Sequence, residues 1–66
     1  MTTASRERLA RRRLKTYGEV GYLLRKRNDV YYILDPARGL VIAGGDAHLG
    51  LYLWSLEDIE NWIAAD

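Results

Sequence analysis

The chain contains no cysteine and no phenylalanine, and only one proline, one methionine and one histidine among its 66 residues. Without cysteine there can be no disulfide, no thiolate nucleophile and no cysteine-based zinc site. The lone histidine, His48, has only Asp46 and Gly50 close by, which is not a metal-ligand set. Ser5 and Ser55 read as helix caps, and with a single histidine a serine triad has little support. Long apolar runs are missing as well: nothing approaches the ~20 residues needed to cross a membrane. The basic N-terminus leads into no apolar signal segment. The glycines of "AGGDAHLG" lack phosphate-loop spacing and the lysine that follows it, so turn geometry accounts for them. Asp35 and Asp46 would form a carboxylate pair only if folding happened to bring them together. These absences lead us to expect a cytoplasmic protein with no catalytic residues, metal, cofactor or membrane attachment.

Charge is present, and it is sorted. Residues 1–27 carry nine basic side chains against Glu7 and Glu19, a net of +7. Residues 28–66 carry Arg38 against seven acids, a net of −6, so the overall +1 conceals a polar chain. The densest stretch is "RERLARRRLK", residues 6–15, with six basic residues and one acid. At 100° per residue, Ala10, Leu14 and Tyr17 fall on one side of a helix, and Arg8, Arg11, Arg12 and Lys15 gather on the other. Ser5 is the expected cap, the helix runs to Tyr17, and Gly18 closes it.

"GYLLRKR" (21–27) then turns at Asn28-Asp29 into "VYYIL" (30–34), and "DPARG" (35–39) turns into "LVIAGG" (40–45), two antiparallel hairpins. "DAHLG" is a loop, and "LYLW" (51–54) is a short fourth strand or an extended lead-in. In "SLEDIENW", Ser55 and Asp58 have capping-box spacing, and Leu56, Ile59, Trp62 and Ile63 form an apolar stripe, predicting a helix from Leu56 to about Ala64. The expected fold class is α+β: a basic N-terminal helix, a three- or four-stranded antiparallel sheet, and a C-terminal helix packed on it. Residues 30–34 are apolar at both alternating sets, so each sheet face needs cover. The C-terminal helix would supply one cover, and the N-terminal helix, a second copy or a target the other.

Two function classes follow. The first is nucleic-acid binding through Arg8, Arg11, Arg12 and Lys15 on the helix and Arg25, Lys26 and Arg27 on the first strand, with Tyr22 and Tyr31 as candidates for base stacking. The second is a protein-interaction module, either a homo-oligomer or a binder of a foreign protein, driven by two-faced apolar strands and oppositely charged halves. The helix, three strands, helix order resembles double-stranded-RNA-binding domains, but "SLEDIENWI" lacks the basic helix start that family uses. "LLRKR" and the strand order resemble the three-stranded sheets that read DNA grooves in phage integrase arm domains and plant ethylene-response factors, a likeness of topology. "GYLLRKRNDVYYILDPARGLVIAGG" followed by "WSLEDIENWI" is similar to small uncharacterised proteins of actinobacteria and their bacteriophages. That resemblance implies a small accessory protein and carries over no site residues.

Overall fold

The computed structural model describes residues 2–17, 21–46 and 49–65. The elements run α1 (Thr3–Lys15), β1 (Leu23–Arg27), β2 (Val30–Asp35), β3 (Leu40–Ala43), β4 (Gly45–Asp46), β5 (Leu51–Tyr52) and α2 (Leu56–Ala64). The fold is α+β, as expected. Gly18 and His48, named above as a helix stop and a loop residue, lie outside the described residues.

Helix α1 begins one turn earlier than expected. Thr2, not Ser5, is the cap: its side chain accepts the Ser5 N–H at 3.2 Å, and its carbonyl accepts the Arg6 N–H at 3.0 Å. Both residue types can cap. Arg6, one turn into the helix, reaches Glu60 of α2. The helix also ends early, because the Leu14 carbonyl accepts the Tyr22 N–H at 2.8 Å and draws the returning chain against the helix end. Gly21 makes this approach possible. Its φ is +75°, and a Cβ there would lie 2.3 Å from the Lys15 carbonyl oxygen. Gly21 and Tyr22 are therefore consumed in the connection, and β1 starts only at Leu23.

Strands β1, β2 and β3 form an antiparallel meander in that order. Asn28, with φ 56°, takes up the left-handed conformation at the first turn, and the register pairs Arg25 with Tyr32 and Lys26 with Tyr31. The fourth-strand expectation is met differently: β5 pairs with β4 in a separate two-stranded ribbon, and Trp54 forms an isolated bridge back to Tyr31. Gly44, at φ +91°, makes the bend between β3 and the ribbon, where a Cβ would lie 2.7 Å from Tyr31 O and Tyr32 Cα. Helix α2 has the capping box and both boundaries predicted for it.

Ala10, Leu14, Leu24, Tyr31, Ile33, Leu56 and Ile59 form the core, with Leu14, Ile33 and Ile59 fully buried. Both helices thus cover the same sheet face, that of Leu24, Tyr31 and Ile33. Helix α1 does not close the opposite face. There, Tyr52 of the ribbon packs on Tyr32 at 4.5 Å between ring centroids. A second aromatic group, Tyr17, Tyr22 and Trp62, fills the space between the end of α1 and α2, with ring centroids 5.3–6.4 Å apart.

Candidate nucleic-acid interface

Burying Ala10 and Leu14 sets the rotation of α1, and with it the direction of each charge. Arg6 and Arg13 face α2. Arg6 makes a two-point pair with Glu60, with Nε–Oε2 at 3.1 Å and Nη2–Oε1 at 2.5 Å, and Arg13 lines the cleft between the helices with Glu60 and Asn61. Glu7 faces the sheet, where it accepts the hydroxyl of Tyr31 on β2 and sits 3.6 Å from Lys26 Nζ on β1. Arg8, Arg12 and Lys15 are exposed and, among the described residues, make no ion pair.

The flank between α1 and β1 is where the basic groups meet. A shallow groove there is lined by Arg11, Lys15, Tyr22, Leu23, Leu24 and Arg25. Arg11 donates from Nη1 to the Leu24 carbonyl at 2.6 Å, which fixes its guanidinium on the strand edge, and its charge helps to keep Glu7 ionised. Arg25 and Arg27 project from the sheet face away from the helices, and Arg27 lies 5.4 Å over the Tyr52 ring. Of the seven basic residues named from the sequence, only Lys26 is paired with an acid among the described residues; its Nζ also lies 5.6 Å from the Tyr31 ring centroid. Glu57 and Asp58 are spent at the start of α2, with Asp58 closing the cap on Ser55.

The two tyrosines named for stacking are placed otherwise. Tyr31 is 4% exposed and its hydroxyl is bound to Glu7, so its ring is not offered to a base. Tyr22 lines the groove, but its ring packs on Tyr17 and Trp62. The tyrosines beside Arg25 and Arg27 are instead Tyr32 and Tyr52. A signal for Tyr32 was present in the sequence: a two-residue turn at Asn28-Asp29 pairs Arg25 with Tyr32, and side chains paired across strands share a face.

Two carboxylates are held below their ordinary range. For Glu7 the main cause is the Tyr31 hydroxyl, followed, against the opposing effect of burial, by the charge of Lys26. For Glu60 it is the hydrogen bond from Arg6. Tyr31 is raised, first by burial and then by Glu7. A carboxylate with a lowered folded-state pKa adds stability above its unfolded value and loses it as the pH falls through the folded value. The urea midpoint should therefore drop as the pH is lowered from about 5. A Glu60→Gln variant should show a shallower drop, and parallel curves for the two proteins would contradict this account.

Asp35, although buried, has a local role: it accepts the Ala37 and Arg38 N–H groups at 3.0 and 3.4 Å and fixes the β2–β3 turn. Among the described residues no group of His, Asp and Glu side chains is arranged to hold a metal ion, and no helix is long and apolar enough to cross a membrane. No protein-family model, curated protein or solved structure matches the chain.

Proposed function

We propose that this protein is a small, non-catalytic cytoplasmic module that binds nucleic acid along the flank formed by α1 and β1. The observation that carries the reading is the groove in which Arg11, Lys15 and Arg25 meet, continued by Arg8 and Arg12 on the helix and Arg27 on the strand, while Glu60 is held by Arg6 and Glu7 is engaged by Tyr31 and Lys26. Tyr31 is buried and Tyr22 is packed, so the mode is phosphate tracking rather than base stacking, and sequence preference should be weak.

Fluorescence anisotropy with short duplex and single-stranded oligonucleotides across a salt series tests this. With about four phosphates neutralised, log K against log salt should have a slope of about −3.6 on duplex, and about −2.8 on a single strand. Binding no tighter than that of a charge-matched scrambled peptide, or a flat salt response, removes the proposal.

A further inference from the structure

The two edges of the three-stranded sheet differ sharply. The β1 edge is guarded: it carries Arg25, Lys26 and Arg27, it is flanked by α1, and Arg11 caps the Leu24 carbonyl. Charges and covering elements of this kind prevent strands from adding to an edge. The β3 edge has none of these. Its sequence, Leu-Val-Ile-Ala, contains no charge and no proline. It pairs with β2 on one side only and packs substantially on nothing else but its own continuation, β4. Leu40 and Ile42 on this strand are 55% and 38% exposed.

We infer that β3 is the contact through which a second copy of this chain docks, antiparallel, giving a two-fold dimer with one continuous six-stranded sheet. Two observations favour a second copy as the occupant. First, an antiparallel pairing of β3 with itself satisfies both free edges at once, and the guarded β1 edges stop the assembly at two. Second, the chain exposes 4766 Å² at a mass of 7.6 kDa. A monomer of that mass is expected to expose about 4300 Å².

The dimer would set the two β1 strands about 24 Å apart, five inter-strand spacings. This contact is separate from the basic α1–β1 flank, so either reading can fail while the other stands.

Sedimentation equilibrium from micromolar to millimolar protein, at low and high salt, reads the outcome. The native chain should reach twice the chain mass and keep it in high salt, because main-chain pairing and apolar contact hold it. Ile42→Lys, which puts a charge on the open edge, should shift dissociation to at least tenfold higher concentration. Leu53→Lys, at a 74% exposed leucine beyond the strand, should leave it unchanged. A native chain that stays monomeric throughout overturns the inference. So does a dimer that high salt dissolves, or one that Leu53→Lys weakens as much as Ile42→Lys. Amide exchange on the native chain gives a reading independent of the variants: β3 amides should gain protection as protein concentration rises, and unchanged rates would also overturn it.

Discussion

Ile33→Ala is expected to leave the chain largely unfolded at room temperature. Ile33 is fully buried at the centre of the sheet, within a core of seven side chains that includes Leu24, Leu14 and Ile59. Removing a buried isoleucine side chain to alanine costs about 2–5 kcal/mol, through lost burial and the cavity left behind. A single hydrophobic core in a domain of this size supplies only about 3–5 kcal/mol of net stability. The loss therefore matches the whole margin. Leu53→Ala removes a side chain of the same size from a position that is 74% exposed and outside the β3 edge, and should shift the urea midpoint little, by about 0.5 kcal/mol or less. Circular dichroism during urea titration compares the two. A cooperative transition for Ile33→Ala close to that of the native chain would mean that the core is not where the packing puts it.

The second large effect concerns binding. Replacing Arg12, Lys15 and Arg25 together by alanine removes exposed charges that, among the described residues, pair with no acid and bury little surface, so the fold should survive. Each lost phosphate contact reduces the salt slope by about 0.9, so the slope on duplex should fall from about −3.6 to about −0.9. Affinity near physiological salt should drop about a hundredfold. Removing Arg6 and Arg13 instead should lower affinity much less, because both face α2 and Glu60. Equal losses from the two sets would show that net charge alone governs binding and that the flank has no special role.

The parts of this structure that could be read from the sequence are those fixed by local chemistry. Ser55 and Asp58 close a capping box within four residues, and α2 begins and ends where that box and the Leu56, Ile59, Trp62, Ile63 stripe predict. Asn28-Asp29 similarly sets the first hairpin and its register. Choices between equivalent local options were not legible. Thr2 and Ser5 are both competent caps, and nothing in the neighbouring residues decides between them. The alternation of Tyr31 and Tyr32 puts them on opposite faces but does not say which face the helices cover. That depended on α1 packing beside α2, and it placed Tyr31 inside against Glu7 and left Tyr32 to meet Tyr52. The ribbon of β4 and β5 depends on the bend at Gly44, which no strand periodicity encodes. The clustering of arginines was visible along the chain; that Arg11 would be anchored on the Leu24 carbonyl and meet Lys15 and Arg25 in one groove required the tertiary fold.

Titrating isotope-labelled protein with a short DNA duplex and following its amide resonances tests the central claim most directly. Shifts should concentrate on Arg8, Arg11, Arg12, Lys15 and the strand Leu23–Arg27, while Glu57, Asp58 and the β3 amides stay in place. Shifts centred on α2 or β3, or none at concentrations that saturate other basic domains, would contradict it.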